Sequence, residues 1–385
     1  MSKIISSLSK MWLKVINLEQ SLFPELQASL GTLSSKEEKL IKILDFAEIE
    51  KNIMVVNITN VKKYREEIAR AFIAKSVYNL HTTRDLIDRL RIDRTLRIIC
   101  GWRYANAIPS EATFSRAFTE MSELQIAQKS HEQFVQTYLS DTLFLYNATD
   151  ATQIPLRQKA VKVEKEKKVK AKRGRPKKGE IRPPKAPTIL QQQEKMDSVE
   201  AMLDLVSTKC GAGIKQNSKG NREVWVGGKL HISVVDGDIP ITAFYSGANV
   251  HDSSLSLPLI QETSRRVNYL YDLQDAGYDA DIIRSFSCKH NHRPIIDINP
   301  KNSQVLRDKI ARIKEEKEKF EFFKLIPSSD IHHYNQRSMV ERVNAYLKDS
   351  FGCEKIYYQE ANKVASVLSF GILSVCIHQS LKLLI

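Results

Sequence analysis

The chain has 385 residues, long enough for two or three domains and a sizeable hydrophobic core. Hydrophobic residues make up 42% and charged residues 27%, which is typical of a soluble globular protein rather than a fibrous or disordered one. The net charge of +14 and the isoelectric point near 9.4 favour a polyanionic partner such as nucleic acid.

Most of this positive charge lies in one segment. Residues 157–185 contain 14 Lys or Arg against 3 Glu, a net charge of +11. The remainder of the chain is therefore nearly neutral, and we expect the basic segment to be a local device for binding a polyanion.

Cysteine usage and hydropathy predict a cytoplasmic protein without a membrane span. The 5 cysteines are scattered and form no Cys-x-x-Cys pair, which is typical of reduced thiols. Lysines interrupt the apolar residues at the N-terminus, so we expect no signal peptide. The apolar stretch 364–385 is interrupted by His378, Gln379 and Lys382, which favours a buried helix over a membrane span.

Residues 1–135 are predicted to form an all-helical N-terminal domain. Thr83 precedes an amphipathic stretch and can cap a helix, and Pro109-Ser110 can begin another. Short helices at this spacing are typical of a helix-turn-helix that binds DNA, and we expect this domain to bind DNA ends. A helical packing or dimerisation module fits the same pattern equally well.

The pattern changes at residue 140. Strands are predicted at 142–149, on both sides of Asp236-Gly237 within 229–246, at 267–274 and at 293–298, with helices between and after the later strands. In an open sheet the first and fourth strands can be neighbours. We therefore predict an α/β domain over 140–385 with an RNase H-like core, a mixed five-stranded sheet with flanking helices. Residues 157–228 then form an insertion, which begins with a basic linker over 157–187.

Two acidic residues follow strands that this topology makes neighbours. Asp150 ends the first predicted strand and Asp275 ends the fourth, so their side chains can meet in one crevice. Asp272 and Asp279 are alternatives for the second position. Asp272 lies inside the apolar run, however, and Asp279 follows the turn at Gly277 as a helix cap would, so Asp275 is preferred.

A third carboxylate lies on a late helix. At about 100° per residue, Tyr334, Arg337, Glu341 and Lys348 fall within an arc of roughly 60° on one helix face. Four apolar residues lie on the opposite face and predict burial there: Met339, Val340, Val343 and Leu347. An ordinary surface pair of Arg337 and Glu341, spaced i,i+4, is the simpler alternative.

Three carboxylates in one crevice repel each other unless cations neutralise them. Hard oxygen ligands suit Mg²⁺, and Mn²⁺ can substitute. Two such ions, about 3.5–4 Å apart, can activate a water or a 3′-hydroxyl and stabilise the leaving oxygen. Arg337 and Lys348 can bind phosphates beside them, and Tyr334 can stack on a base or bond to a phosphate or sugar. The set predicts phosphodiester chemistry on nucleic acid.

The spacing of this set resembles a known signature. Tyr334, two residues, Arg337, three residues, Glu341, six residues and Lys348 match the Tyr-(2)-Arg-(3)-Glu-(6)-Lys pattern of a group of bacterial insertion-sequence transposases of the DDE type. DATQIPL (150–156) and QDAGYDA (274–280) are similar to that group's first two acidic boxes. SGANVHDSS (246–254) and AIPSEATFSRAF (107–118) also resemble segments of the group.

The resemblance implies a metal-dependent transposase that nicks DNA at the ends of a transposon and joins the freed 3′-hydroxyls to target DNA. It implies Asp150, Asp275 and Glu341 as catalytic metal ligands, with two Mg²⁺ ions in each site. It also implies that Tyr334, Arg337 and Lys348 contact DNA near the scissile phosphate. Because two ends must be joined, we expect at least a homodimer in the active complex.

The basic linker contains a second DNA-binding signal. Its sequence KRGRPKKG (172–179) resembles an AT-hook, in which an Arg-Gly-Arg-Pro segment enters a narrow A·T minor groove. This resemblance selects Arg173, Arg175, Lys177 and Lys178 as DNA contacts. A polyelectrolyte tether without sequence preference is the alternative.

The sequence therefore predicts a magnesium-dependent DNA transposase that acts on double-stranded DNA in the bacterial cytoplasm. Two alternatives remain open. One is a domesticated relative that binds DNA without catalysis, and the other is a nuclease of the same fold that cleaves strands without joining them.

Overall fold

The computed structural model describes residues 7–56, 63–161, 186–216, 220–299, 303–322 and 329–384. Its N-terminal part contains helices and, within the described residues before Leu143, no strand. These helices are α1 (Ser7–Asn17), α2 (Phe23–Leu30), α3 (Ser35–Ala47), α4 (Ile49–Val56), α5 (Arg65–Val77), α6 (Thr83–Ile92), α7 (Arg94–Cys100), α8 (Glu111–Glu123) and α9 (Ile126–Tyr138).

The rest of the chain alternates strands and helices. The strands are β1 (Leu143–Pro155), β2 (Gly211–Gln216), β3 (Arg222–Val235), β4 (Ile239–Gly247), β5 (Asn268–Gln274) and β6 (Arg293–Ile296). The helices are α10 (Ile189–Gln193), α11 (Val199–Asp204), α12 (Ser256–Arg266), α13 (Asp281–Lys289), α14 (Gln304–Phe322), α15 (Ser329–Asn335), α16 (Ser338–Ser350) and α17 (Ala361–Lys382).

Local capping explains where several helices begin. A capping box starts α6, but its cap is Thr82 and not Thr83 as the sequence suggested, because the Thr82 side chain accepts from the Asp85 N–H at 3.0 Å. Ser110 is the N-cap of α8, as predicted. Among the strands, the predicted β-hairpin around Asp236-Gly237 is confirmed, and both Gly237 and Asp238 have positive φ.

The strands form one mixed sheet of six strands in the order β2–β3–β1–β5–β6, with β4 also paired to β3. β1 pairs antiparallel with β3 and parallel with β5, and β5 pairs parallel with β6. The prediction that the first and fourth core strands are neighbours is confirmed, because β1 and β5 occupy those positions.

The sheet corrects two sequence expectations. It has six strands rather than five, because β2 and the first half of β3 come from residues assigned to the insertion and pair with each other from Gly211 to Gly227. Strand β1 also continues past Asp150 to Pro155, since β3 keeps pairing with it over that length. Asp150 therefore follows the last β1 residue that pairs with β5, but it does not end the strand.

The long C-terminal helix joins the two halves of the molecule. The rings of Phe72 in α5 and Phe118 in α8 lie 5.7 and 6.4 Å from the ring of Phe370 in α17. One hydrophobic core includes all three rings together with apolar residues of the sheet. The N-terminal helices and the sheet thus bury their apolar faces against a shared helix.

The same helix is long and apolar enough to cross a membrane, by length and composition alone. Its side chains are nevertheless covered by protein, and Val364, Leu373 and Ile377 have no solvent contact. The prediction of a buried helix in this stretch is confirmed. Hydrophobic burial accounts for its composition, since each such side chain contributes about 1.5–3 kcal/mol when fully buried.

Candidate active site

The parallel pairing of β1 with β5 places two predicted site residues side by side. Thr149 lies in register with Gln274, and these are the last paired positions of the two strands. Asp150 and Asp275 follow directly. Neighbouring strands lie about 4.8 Å apart, so the two carboxylates project from one edge of the sheet.

Asp275 is held by the turn that follows it. Its Oδ1 accepts a hydrogen bond from the Gly277 N–H at 2.8 Å and caps a short 3₁₀ turn, Ala276–Tyr278. A Cβ at position 277 would meet the same oxygen at 3.0 Å, so glycine permits this close approach.

The carboxyl of Asp150 has a raised pKa. Burial raises its pKa to about 6, and the charges of Asp275 and Asp252 act in the same direction. The Ala151 N–H and the guanidinium of Arg337 oppose the rise but do not cancel it. The site therefore disfavours the charged carboxylate on its own and favours a cation beside it.

Two further residues complete the surroundings of Asp150. Asp252 forms an ion pair with Lys229 at 2.8 Å. The hydroxyl of Tyr278 is buried and has no hydrogen-bond partner among the described residues. Burial first, and then the charges of Asp252, Asp150 and Asp275, raise the pKa of that hydroxyl. Tyr278 thus lies within the field of all three carboxylates.

The alternatives to Asp275 have structural contacts of their own. Asp272 is fully buried and accepts hydrogen bonds from the side-chain amides of Asn147 and Gln274, at 3.2 and 3.3 Å. Asp279 pairs with Arg284 at 2.9 Å and accepts the Asn299 N–H. Asp272 and Asp279 thus each have partners within the fold.

Helix α16 carries Glu341 on its outer side. The four apolar residues of the opposite face are buried, as predicted: Met339, Val340, Val343 and Leu347. The Glu341 side chain is 55% exposed and pairs with Arg337 one turn earlier. Arg337 is also close enough to Asp150 for each charge to favour the other's ionised form. Arg337 therefore lies between the two acidic positions.

Tyr334 does not share this helix, which corrects the sequence prediction of one continuous helix face. It lies on α15, and a turn at residues 336–337 separates the two helices. Tertiary contacts explain the break: the ring of His333 stacks on Tyr271 with centroids 4.2 Å apart, and its Nδ1 lies 2.7 Å from the Tyr146 hydroxyl.

Tyr334 still faces Arg337 across the turn. The guanidinium carbon of Arg337 lies 5.9 Å from the centre of the Tyr334 ring. Burial raises the pKa of Tyr334, and the nearby carboxylate of Asp297 acts in the same direction.

Lys348 of α16 contacts β1 two residues beyond Asp150. Its Nζ donates to the Thr152 hydroxyl at 2.6 Å, and burial lowers its pKa. The other predicted DNA contacts lie outside the described residues: Arg173, Arg175, Lys177 and Lys178.

The three acidic positions do not meet as one ligand group. Over the parts of the chain that the structure describes, no three His, Cys, Asp or Glu side chains are grouped so that they could hold a metal ion. Asp150 and Asp275 act on each other directly, whereas Glu341 is turned towards Arg337.

Comparison with known protein families matches residues 148–377, more than half of the chain, to the Transposase DDE domain. The chain belongs to this transposase family. Residues 28–120 match a second family, described as Transposase domain (DUF772). A comparison with curated proteins found no match.

The two matches agree with the architecture. The DDE transposase domain spans β1 to α17 and so contains Asp150, Asp275 and Glu341. The second transposase domain falls within the N-terminal helices. The protein is a DDE-type transposase, and its family acts on DNA and generally uses divalent metal ions.

Sequence reasoning missed two residues of this region, Asp297 and Tyr278. Asp297 follows β6 as Asp275 follows β5, because Gln274 and Ile296 are in register. The rule that selected Asp150 and Asp275, an acid after a parallel strand, could have found it. No local pattern identifies Tyr278, whose place depends on how the turn after β5 packs.

Proposed function

We propose that this transposase cleaves DNA at the ends of a transposon and joins the freed 3′-hydroxyls to target DNA, with Asp150, Asp275 and Glu341 at its catalytic centre. A parallel β1–β5 pair beside an antiparallel β1–β3–β4 meander supports an RNase H-like core. The adjacency of Asp150 and Asp275 at the end of the β1–β5 pairing carries the proposal.

The residues present fit a divalent cation of the magnesium type. The donors are hard carboxylate oxygens, burial and neighbouring acids raise the pKa of Asp150, and the Tyr278 hydroxyl is buried without a partner in the described residues. Asp150, Asp275 and Glu341 would hold the metal, with two ions in a complete site. When bound, Mg²⁺ supplies stabilisation of negative charge on phosphate oxygens.

The ion pair between Glu341 and Arg337 is weak enough for a metal ion to replace it as the partner of the Glu341 carboxylate. An exposed i,i+4 ion pair contributes about 0.3–0.5 kcal/mol, far less than a carboxylate gains from a divalent cation. Glu341 sits on a helix anchored by its buried face, so only its side chain has to rotate.

The cations and the tyrosine bind DNA around the reacting phosphate. Arg337 presents a planar guanidinium beside Asp150 and can hold a phosphate through two hydrogen bonds. Lys348 contributes a point charge beside Thr152, two residues beyond Asp150 on β1. Tyr334, across the turn from Arg337, contacts a base or sugar. These residues position the scissile phosphate against the acidic pair.

The remaining parts of the chain serve DNA recognition. The N-terminal helices recognise transposon ends, and the linker residues Arg173, Arg175, Lys177 and Lys178 contact DNA as an AT-hook. The active complex is a homodimer, since two ends must be held for joining. We infer that the protein acts in the bacterial cytoplasm. The spacing of Tyr334, Arg337, Glu341 and Lys348 supports membership of the Tyr-(2)-Arg-(3)-Glu-(6)-Lys group.

Strand cleavage by the purified protein tests the proposal. DNA containing the inverted repeats that flank the gene is incubated with protein and Mg²⁺, and nicked and joined products are separated. We expect Asp150→Ala, Asp275→Ala and Glu341→Ala each to abolish cleavage while DNA affinity changes little. Asp349→Ala, which removes an exposed acid from the same helix as Glu341, is the matched control and should cleave normally.

The products also separate the alternatives. Cleavage without joined strands would identify a nuclease, and tight binding without cleavage by the unmodified chain would identify a domesticated DNA-binding protein. Near-normal cleavage by any one of the three acidic variants would remove that residue from the catalytic centre.

A further inference from the structure

A groove continues from the candidate active site along the end of β1. It begins where Lys348 contacts Thr152, two residues beyond Asp150, and extends to Arg157. Its volume is about 470 Å³, within the range of ligand sites, about 300–1,000 Å³. One wall is the end of β1, and the other is the segment 354–357 that follows α16.

The two walls are joined. Leu156, just after β1, forms a parallel bridge with Ile356. Both side chains are buried, at 7% and 4% exposure. The residues that flank this bridge are therefore held at fixed positions, which is what a preformed binding groove requires.

The charge of the groove suits a polyanion. Three of its lining side chains are cationic, Arg157, Lys348 and Lys355, against one acid, Glu354. A further cation, Lys215 of β2, is close enough to act on Lys348. Such a groove attracts a phosphate backbone through its summed charge.

An aromatic platform stands at the far end. The guanidinium carbon of Arg157 lies 4.8 Å from the centre of the Tyr357 ring, and Tyr357 is 42% exposed. A cationic groove that carries an accessible aromatic ring is typical of sites for nucleic acid strands, in which bases stack on the ring.

The position of the groove indicates which part of the DNA it can take. Arg157 lies seven positions after Asp150, and an extended chain rises about 3.3 Å per residue, so the groove reaches roughly 23 Å from the acidic pair. B-form DNA rises about 3.4 Å per nucleotide along each strand. The groove therefore spans several nucleotides on one side of a phosphate held at Asp150.

We propose that this groove binds the DNA strand that continues from the scissile phosphate, with Arg157 and Lys355 on its phosphates and Tyr357 stacked on one of its bases. The proposal rests on the proposed function, since it takes the reacting phosphate to lie at Asp150. It assigns to the segment after α16 a role in positioning DNA that the acidic residues do not supply.

The experiment uses the full chain and transposon-end duplexes that are trimmed stepwise on one or the other side of the cut. We expect Tyr357→Ala to raise the DNA concentration needed for half-maximal cleavage at least fivefold on the untrimmed duplex, and Tyr357→Phe to restore it. Trimming the side that occupies the groove should remove the difference between Tyr357→Ala and the unmodified chain. Trimming the other side should leave it.

A matched control comes from a similar pair elsewhere. Arg103 lies 5.4 Å from the ring of Tyr104, which is 59% exposed on the N-terminal part of the chain. Any effect of Tyr104→Ala should be independent of trimming. Equal dependence on trimming for both variants, or none for Tyr357→Ala, would overturn the proposal.

Binding separates this proposal from the proposed function. With 2-aminopurine placed in the strand beside the cut, stacking quenches fluorescence without any cleavage. We expect quenching with the unmodified chain and Tyr357→Phe, and its loss with Tyr357→Ala. If the unmodified chain quenches the fluorescence but does not cleave the DNA, only the catalytic assignment is refuted. Cleavage with fluorescence unchanged by Tyr357→Ala refutes the groove alone.

Discussion

The guanidinium of Arg337 pairs with the carboxylate of Glu341 one turn further along α16. Taken alone, this is the ordinary surface pair that the sequence allowed as a simpler explanation. Arg337 also acts on Asp150, a residue nearly two hundred positions earlier in the chain. The pair therefore belongs to the acidic site and is not an isolated surface contact.

Removing Arg337 should change how the site responds to pH. Its charge lowers the pKa of Asp150, so Arg337→Gln should raise that pKa above its value of about 6. We expect the acid limb of the cleavage rate to move to higher pH by several tenths of a unit or more. Arg342→Gln is the control, because Arg342 lies on the helix that follows Arg337 but pairs with Asp238 at 2.6 Å. A profile that moves equally in both variants would contradict the assignment.

The raised pKa of Asp150 predicts a cost in stability. Because the folded pKa, about 6, exceeds the ordinary value of 3.8, ionisation of Asp150 destabilises the fold above pH 6 and has no such effect below about pH 4. Asp150→Asn should therefore increase the free energy of unfolding by up to about 3 kcal/mol at pH 7.5, and most of this gain should be lost as the pH falls from 6 to 4. Urea titrations at several pH values measure it.

The stability control is an exposed acid. Asp88→Asn, on α6 with a distant partner in Arg91 at 3.8 Å, should change the free energy of unfolding by less than about 0.5 kcal/mol at any pH. A lower free energy of unfolding for Asp150→Asn at pH 7.5 would show that the ionised Asp150 carboxylate does not destabilise the fold.

Asp297 should position Tyr334. Its carboxylate is close enough to Tyr334 to raise the pKa of that hydroxyl, and Asp297 follows β6 as Asp275 follows β5. We expect Asp297→Asn and Tyr334→Phe to reduce cleavage by similar factors, and the double variant to be no worse than either. The coupling energy from this cycle should reach about 1 kcal/mol. Additive effects would mean that Asp297 acts elsewhere, for example on the metal.

The basic linker should distinguish A·T-rich from G·C-rich DNA. Replacing Arg173 and Arg175 with Ala, while Lys177 and Lys178 remain, should weaken binding to A·T-rich duplexes more than to G·C-rich ones, because the narrow A·T minor groove attracts arginine. Fluorescence anisotropy at fixed salt measures both. Replacing Lys177 and Lys178 instead should weaken both equally. If the arginine variant loses the same affinity for A·T-rich and G·C-rich duplexes, the linker is a polyelectrolyte tether and not an AT-hook.

Much of the fold follows from patterns that are local in the chain. The β-hairpin at Asp236-Gly237, the cap at Ser110 and the apolar face of α16 were all predicted, since each depends on residues a few positions apart. Strand β2 was not predicted. Its Ile214 pairs with Val224 of β3 and both side chains remain exposed, so no buried, alternating pattern marks the strand.

The candidate site shows the same division. The order of strands and the acids after them, together with the spacing of Arg337, Glu341 and Lys348, can be read along the chain. The break before Ser338, the approach of Asp297 to Tyr334 and the pairing of Lys348 with Thr152 depend on packing between segments far apart in sequence. Periodicity and capping act within a few residues, whereas burial and charge act between whichever residues the fold brings together.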